Sequence, residues 1–186
     1  MTDAADRLIR TERLELPLLS RAQLGALAAG DGRPLAAELD AAVSEAWVEE
    51  VRLLAALRAN QLAERPQDEP WLLRAIVRSE ADAPRAVIGY LNFHAAPDER
   101  GWAEIGYALL PEARGRGYAI EAVRAAFDWA AERHGVRRFR ASVAPDNERS
   151  LNLIRKLGFV EAGAQWDAED GLELVFELDR WRTDGT

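Results

Sequence analysis

The stretch ALLPEARGRGYAIEAV, residues 108–123, combines the end of an apolar strand, a turn with two glycines and the start of a helix. Pro111 ends the strand, and Gly115 and Gly117 allow a tight turn with an accessible backbone. Helical spacing of apolar residues then runs from Tyr118 to Arg133. Backbone N–H groups at a helix start have no partner within the helix, so they can bind an anion. The stretch therefore predicts an anion-binding turn.

Charge strengthens this prediction. Arg114 and Arg116 lie in the turn and can donate hydrogen bonds to phosphate oxygens. Residues 111–140 contain seven arginines and four acids, a net charge of +3, so the rest of this chain of net charge -8 carries -11. A basic segment in an acidic chain favours a small polyanion over nucleic acid, which is bound through extended basic surfaces.

Two nucleotide-binding motifs do not fit the turn. The nucleoside-triphosphate loop ends in a lysine and a hydroxyl residue, and the dinucleotide motif has three glycines at another spacing. A protein that binds ATP or a dinucleotide with the same turn stays open as an alternative interpretation, which competition between coenzyme A and ATP would decide.

Outside this stretch, the patterns of apolar residues predict alternating strands and helices. Strands are expected at residues 11–19, 71–79, 86–94, 102–110 and 138–144, and a final hairpin at 159–164 and 172–178. Helices are expected at residues 21–29, with Ser20 as the N-cap, over 35–64 as one helix or two, and at 118–133 and 148–157. The chain is therefore expected to be a single mixed α/β domain over residues 1–186.

Composition narrows the class of protein. Without cysteine, the chain has no disulfide, no thiolate metal site and no cysteine acyl-enzyme intermediate. Its two histidines, His94 and His134, do not make a metal-ligand cluster, and we interpret both as structural. No apolar run approaches the roughly 18 residues of a membrane span, and the start MTDAADRLIR does not resemble a secretory signal. These features predict a cytoplasmic protein that is not bound to membranes.

The segment RGRGYA, residues 114–119, resembles the acyl-CoA signature of the GNAT acetyltransferase superfamily. That signature is Gln or Arg, two residues, Gly, one residue, then Gly or Ala, and Arg114, Gly117 and Ala119 fill its three positions. The segment PDNERSLNLIRKLGF, residues 145–159, resembles the second half of the family pattern through Asn147, Ser150, Leu153, Leu157, Gly158 and Phe159. The strand AEIGYALLP, residues 103–111, is similar to that of the branch that includes ribosomal-protein N-terminal acetyltransferases.

The resemblance implies a strongly twisted, mostly antiparallel sheet of about six to seven strands, with helices on both faces. Strands 102–110 and 138–144 would splay apart, and the pantetheine arm of acetyl-CoA would lie between them. Backbone groups of Ala108, Leu109 and Leu110 would bond its amides, and an N–H near Leu109 or Leu110 would hold the thioester oxygen.

The same resemblance assigns the cofactor's pyrophosphate to the turn, and it requires no metal. The residues that would contact the pyrophosphate are Arg114, Gly115, Arg116, Gly117, Tyr118 and Ala119. Asn147 would reach the pantetheine arm or an ordered water, or it would only cap the helix that follows.

The chemistry expected of this family is direct acetyl transfer to a primary amine. Glu104, in the central strand, is the candidate general base, acting through water. Alternatively, Glu104 is only an exposed strand residue or the partner of an arginine. Many members place a tyrosine, which protonates the leaving thiolate, where this chain has Ile154. Ser150, one helical turn earlier, is the candidate substitute, and Tyr107 and Tyr118 are weaker ones.

The acceptor is expected to be a protein N-terminus or an amine-bearing small molecule. The acidic residues Asp167, Glu169 and Asp170 and the net negative charge suggest a cationic acceptor. Three tryptophans could line its pocket or belong to the core: Trp47, Trp71 and Trp166. The helical insert 35–64 would shape the acceptor pocket or supply the surface of a homodimer. Because Ile154 cannot donate a proton, a non-catalytic acyl-CoA-binding module is the alternative.

Overall fold

The computed structural model describes residues 3–168 and 171–183, which form two compact units. The first unit takes in the residues up to Asn92 and Tyr107–Ala125, and the second takes in Phe93–Gly106 and the residues from Ala126 onward. Each unit has its own core, and the organisation as a single domain stays a prediction.

In chain order the elements are α1 (Ala4–Arg7), β1 (Leu8–Arg10), β2 (Leu14–Pro17), α2 (Arg21–Ala28), α3 (Arg33–Leu39), α4 (Glu45–Glu64), β3 (Arg74–Arg78), β4 (Ala86–Phe93), β5 (Trp102–Leu109), α5 (Tyr118–His134), β6 (Arg138–Val143), α6 (Glu148–Lys156), β7 (Val160–Asp167) and β8 (Gly171–Leu178), with short 3₁₀ turns at Pro66–Trp71 and Pro111–Ala113.

The mixed α/β class and the mostly antiparallel strands are confirmed. In the first unit β1, β2, β3 and β4 pair in chain order, each antiparallel to the next. In the second unit the order is β5, β6, β8, β7, and the β5–β6 pair is parallel. The described residues thus form eight strands, not six or seven. The additional one is β1, whose three residues are too few to show a periodic pattern.

Capping side chains and backbone conformation set the ends of the helices α2, α3 and α4 in the first unit. The side chain of Ser20 accepts a hydrogen bond from the backbone N–H of Gln23, whose side chain in turn accepts from the backbone of Ser20. Residues 35–64 proved to be part of two helices, because Asp40 has a left-handed φ of 46° that ends α3. Ser44 then caps α4 through the N–H of Trp47 at 3.2 Å.

The core of the first unit lies around α2, α4 and the strands β3 and β4. Its fully buried side chains include Leu24, Leu27, Trp47, Val51 and Leu73. Among the described residues, no helix combines the length and the apolar character needed to cross a bilayer.

A buried arginine ties the N-terminal segment of the first unit to β3. The guanidinium of Arg74 donates to the backbone oxygens of Leu16 at 3.2 Å, Asp6 at 2.6 Å and Pro70 at 3.0 Å. Removal from water lowers the pKa of Arg74 to about 9. The guanidinium is therefore still charged near neutral pH, and its donors satisfy carbonyl groups of three separate segments.

Aromatic rings fill the core of the second unit. The rings of Phe127 on α5 and Phe139 on β6 stack with centroids 3.8 Å apart and an interplanar angle of 11°. Phe159 and Trp181 lie against Phe127 at 6.0 and 5.2 Å. The indole N–H of Trp181 donates to Asp128 at 2.7 Å, so the edge of this cluster is also closed by a hydrogen bond.

The parallel ladder of the second unit is short. Three pairs join β5 to β6, from Trp102 with Arg138 to Glu104 with Arg140. Strand β6 nevertheless stays paired with β8 as far as Val143. The parallel ladder thus ends at Glu104 and Arg140, and the splay of these two strands stays a prediction.

In the first unit, β4 approaches β5 closely at Gly89. A Cβ added there would lie 2.2 Å from the carbonyl oxygen of Ala108 and 2.6 Å from Cδ2 of Leu109. Only glycine fits without moving the main chain at Ala108 and Leu109.

We expect Gly89→Ala to lower the free energy of unfolding by about 2–3 kcal/mol, because the added methyl group overlaps backbone atoms that cannot rotate away. Gly25→Ala is the matched control, since Gly25 lies within α2 with open space around it. That change should stabilise the protein by about 0.5–1 kcal/mol through helix propensity. Urea unfolding followed by circular dichroism measures both, and an unchanged midpoint for Gly89→Ala would contradict the close approach.

Candidate functional site

The turn before α5 has the backbone geometry that an anion site needs. Gly115 and Gly117 have φ angles of 76° and 83°, a left-handed region that side chains disfavour. Both glycines are exposed, and so are Arg114 and Arg116. The 17-residue helix α5 begins directly after them, at Tyr118. The N–H groups at the start of this helix and two guanidinium groups therefore share one exposed surface.

An acid in the first turn of α5 is neutralised by an arginine that immediately precedes β2. Glu121 would repel an anion at this helix end. Arg13 binds its carboxylate through Nε at 2.7 Å and through its own backbone N–H at 3.1 Å. The hydrogen bond to Glu121 raises the pKa of Arg13 above its ordinary value. Arg13 is thus charged near neutral pH, and its guanidinium offsets the carboxylate of Glu121.

Arg13 also holds the turn itself. Its Nη1 donates to the backbone oxygen of Arg116 at 3.1 Å, and its guanidinium lies 4.8 Å from the centroid of the Tyr118 ring. Tyr118 is buried, and its hydroxyl donates to Glu80 at 2.7 Å. Because that hydroxyl is engaged inside the first unit, Tyr118 anchors the helix start with its side chain and is a poor candidate for proton donation.

The backbone of residues 108–110 differs from the sequence-based expectation at two atoms. The N–H of Leu110 donates to the carbonyl of Ile88 at 2.9 Å, and the carbonyl of Leu109 accepts from Nε of Arg114 at 2.8 Å. Of the two N–H groups expected to hold the thioester oxygen, that of Leu110 is thus already paired within the first unit, and the contacts of this segment with a cofactor stay a prediction. Backbone groups alternate in direction along a strand, so with Leu110 and the carbonyl of Ala108 directed at β4, the N–H of Leu109 points to the opposite side.

The basic segment is only partly available for a ligand. Arg138 and Arg140 on β6 form ion pairs with Asp179 at 2.8 Å and Glu177 at 2.7 Å. Arg137 donates to the backbone oxygen of Trp181 at 3.0 Å. These three arginines stabilise the second unit, whereas Arg114 and Arg116 belong to the turn.

In the second unit, Glu104 is held by a serine that the sequence analysis did not single out. The hydroxyl of Ser142 on β6 donates to Oε1 of Glu104 at 2.7 Å. Nδ1 of His94, at the end of β4, lies 3.8 Å from the same oxygen. The Glu104 side chain retains 26% of its exposure, so it is accessible to water while being fixed by a neighbour.

A cavity of about 170 Å³ opens beside this carboxylate. It is lined by His94, Ala95, Ala96, Asp98, Trp102, Glu104 and Arg140. The N–H groups of Trp102 and Arg100 both donate to Asp98 at 2.9 Å, and the bond from Trp102 is the main reason why the pKa of Asp98 is lowered. Asp98 therefore adds a fixed negative charge to the cavity that contains Glu104. His94, interpreted from sequence as structural, also lies at this cavity.

The start of α6 carries the other candidates. Asn147 is the N-cap, and its Oδ1 accepts from the backbone N–H of Ser150 at 3.2 Å. Ser150 is half-buried in the first turn of the helix. Ile154 is 1% exposed, so an aliphatic core residue occupies the place of the family's tyrosine. The structure thus supports the capping role of Asn147, and a role toward the cofactor stays a prediction.

The remaining candidates are divided between the core and the surface. Trp47 and Trp71 are buried, so both belong to the core of the first unit and do not line an open acceptor pocket. Trp166 is 78% exposed on β7. Tyr107 is half-buried on β5. Glu169 and Asp170 of the acidic loop lie outside the described residues.

Three residues of these two sites were not predicted from the sequence: Arg13, Ser142 and Gln165. Each contacts a site residue that is distant in the chain: Arg13 binds Glu121, and Gln165 donates to Ser142, which donates to the candidate base Glu104. Strand register decides such pairs, and a single sequence does not specify it. Within residues 3–168 and 171–183, no three His, Cys, Asp or Glu side chains are grouped so as to hold a metal ion.

A sequence model of the acetyltransferase (GNAT) domain matches residues 13–160. This segment includes the turn, Glu104 and the whole of α6, and it covers most of the chain. The chain therefore belongs to the GNAT acetyltransferase family.

Among its relatives, a Bacillus subtilis (strain 168) protein described as the uncharacterized N-acetyltransferase YjdG is 38% identical over 74 residues, which are 40% of this chain and 44% of the relative. The uncharacterized N-acetyltransferase p20 of Bacillus licheniformis is 36% identical over 95 residues, 51% of this chain and 52% of the relative. The chain thus spans about half the length of these curated relatives.

Among solved structures, the chain is similar to the ribosomal L7/L12 alpha-N-protein acetyltransferase RimL in complex with coenzyme A. The TM-score is 0.62 at 20% identity, over 93% of this chain and 98% of that one. At this identity the similarity establishes the fold, which is the GNAT fold.

A double-mutant cycle of Arg13→Met and Glu121→Gln should give a coupling free energy of about 1–2 kcal/mol, because the pair is partly buried and hydrogen-bonded. Since the folded pKa of Arg13 is raised, its contribution is complete below the unfolded value and is lost only as pH rises through the higher folded value. The coupling should therefore be constant between about pH 7 and pH 9.

The exposed pair Glu49–Arg52 on α4 is the control, with 77% and 49% of the side chains accessible. Its coupling should stay below about 0.5 kcal/mol. Equal couplings for the two pairs in denaturant unfolding would show that Arg13 and Glu121 are an ordinary surface pair.

Proposed function

We propose that this protein is an N-acetyltransferase that moves an acetyl group from acetyl-CoA directly to a primary amine. The observation that carries the proposal is the turn at residues 114–117 inside the segment that matches the GNAT family: two left-handed glycines, two exposed arginines and the start of α5. This arrangement suits a pyrophosphate, which needs several donors in a small area.

The first unit would hold the cofactor's pyrophosphate. Backbone N–H groups from Arg116 to Ala119 would donate to the phosphate oxygens, and Arg116 would add a charge-assisted bond. Arg114 is anchored through Nε to the carbonyl of Leu109, so its terminal nitrogens would contact the phosphates from a fixed position.

The N–H of Leu109 is the donor we assign to the thioester oxygen. It points away from β4, in contrast to the N–H of Leu110, which donates to Ile88. As the amine attacks the thioester carbon, this oxygen becomes negative, and a fixed backbone donor stabilises it in the transition state. The close contact at Gly89 supports the role, because it fixes the main chain of Leu109.

Glu104 is the proposed general base. An amine is mostly protonated at neutral pH, so it must lose a proton before its nitrogen can attack the thioester. The carboxylate of Glu104 would accept that proton, directly or through a water in the adjoining cavity. The ionised Asp98 in the same cavity would attract the ammonium form of the acceptor.

The reaction then balances without a covalent enzyme intermediate. The nitrogen–carbon bond forms, the carbon–sulfur bond breaks, and the thiolate of coenzyme A takes up a proton. Ser150 is the proposed donor, as a hydrogen-bonding hydroxyl or as a relay from water, because Ile154 has no proton to give. The products are the acetylated amine and free coenzyme A.

The proposed acceptor is a protein N-terminus or a small cationic amine. RimL, which shares the fold, is named as an alpha-N-protein acetyltransferase, and this supports an α-amino group. The carboxylates of Asp98 and Glu104 at the cavity also suit an ammonium group.

A non-catalytic acyl-CoA-binding module is the second candidate, and the burial of Ile154 is the observation that favours it. The two candidates share the phosphate-binding turn and differ in turnover. Acetyl-CoA consumption with a panel of amines from about pH 6 to pH 9 separates them, because only the enzyme releases free thiol.

Arg116→Ala should weaken coenzyme A binding about five- to tenfold, the loss expected for one exposed charge-assisted contact. Isothermal titration calorimetry measures this directly. Arg52→Ala on α4 removes the same side chain outside the turn and should leave affinity unchanged. If both variants bind like the wild type, Arg116 does not contact the cofactor, and if the wild type binds no coenzyme A the proposed function fails.

Glu104→Gln should reduce kcat/KM about a hundredfold or more, because the amide cannot accept the proton. Its affinity for coenzyme A should stay at the wild-type value. Release of thiol at several amine concentrations gives kcat/KM, and full activity in Glu104→Gln would exclude Glu104 as the base.

A further inference from the structure

We propose that Ser142 is a positioning residue for the general base, and that Gln165 and Glu173 determine the direction in which its hydroxyl donates. The inference rests on the proposed function, in which Glu104 accepts the proton of the acceptor amine. It concerns a chain of three hydrogen bonds that runs from β8 through β7 and β6 to β5 within the second unit.

The chemistry of the end groups sets the direction of this chain. The amide nitrogen of Gln165 donates to the carboxylate of Glu173 at 3.1 Å, because a carboxylate oxygen accepts hydrogen bonds. The same nitrogen lies 3.2 Å from Oγ of Ser142, to which it donates. The serine oxygen thus accepts from Gln165, and its own hydrogen is left for Oε1 of Glu104, 2.7 Å away.

A fixed donor has two consequences for the base. It occupies one oxygen of the Glu104 carboxylate and holds the side chain in one orientation, so the second oxygen is the one available to the amine or its water. A hydrogen bond donated to a carboxylate also favours the ionised form, which is the form that accepts a proton. Ser142 therefore holds the base in one orientation and donates to the form of it that accepts a proton.

Other charged groups near Glu104 must be separated from this effect. His94, the first residue after β4, lies 3.8 Å from the same oxygen, and Asp98 lines the same cavity from the loop that follows. Arg140 on β6 is the ladder partner of Glu104, but its guanidinium donates to Glu177 on β8 at 2.7 Å. Of these groups, His94 is the one that shares an oxygen with Ser142.

The experiment is the pH profile of kcat/KM for the full chain, from about pH 5.5 to pH 9, with acetyl-CoA and the best amine of the panel. Ser142→Ala should move the acid limb up by about half a unit to one unit and lower kcat/KM about tenfold near pH 6.5. Ser142→Thr keeps the hydroxyl and should stay within about twofold of the wild type. A profile of His94→Gln, measured first, identifies the part of the limb that belongs to the imidazole.

Gln165→Glu is the second variant, on the exposed strand β7, where folding is not at risk. It places a carboxylate beside Ser142 that competes for the serine hydrogen, so its acid limb should move in the same direction by a smaller amount.

Superimposable profiles for wild type, Ser142→Ala and Gln165→Glu, with Glu104→Gln inactive, would overturn the positioning role and leave the proposed function intact. The positioning role would be established if the acid limb of the kcat/KM profile moves in Ser142→Ala and stays at the wild-type position in Ser142→Thr. An inactive wild type, or a fully active Glu104→Gln, would remove the base itself, and the inference would fall with the proposed function.

Discussion

The ion pair between Arg13 and Glu121 is the contact on which the candidate phosphate site depends. Glu121 places a carboxylate in the first turn of α5, where the dipole of the helix would otherwise favour an anion. Arg13 neutralises that carboxylate and, with the same guanidinium, binds the backbone of Arg116 in the turn. One side chain thereby removes a repulsion and fixes the loop. The backbone donors of residues 116–119 can therefore bind a ligand with little further loss of conformational entropy.

Strand β5 contains the two other groups that the proposed mechanism needs, the carboxylate of Glu104 and the N–H of Leu109. At one end, its pairing with β6 stops after Glu104, and Ser142, two residues beyond the last ladder partner on β6, donates to that carboxylate. At the other end, the contact with Gly89 sets the backbone of Leu109. Each of these groups is therefore held by contacts within its own unit, and such preorganisation is what catalysis of acyl transfer requires.

Much of this could be predicted from residues that are close in the chain. The caps at Ser20 and Ser44, the glycines of the turn and the alternation of the long strands all depend on local chemistry, and they placed most elements within a few residues. The three-residue strand β1 was missed because it is too short for a period. The sequence left the N–H of Leu109 and that of Leu110 as equal candidates, because the partner of the latter, Ile88, lies 22 residues earlier and is chosen by strand register.

The sequence by itself determined the class of fold and the glycine-rich turn before α5, and it singled out Glu104 as the candidate base, because motif spacing and periodicity are properties of contiguous residues. Tertiary structure alone decided that Arg13 binds Glu121, that Arg140 binds Glu177 and not Glu104, and that Ser142 receives one hydrogen bond and gives another. The physical reason is that hydrogen bonds and ion pairs act over about 3 Å, whereas their partners here lie tens of residues apart, and only the register of the folded strands brings them within that range.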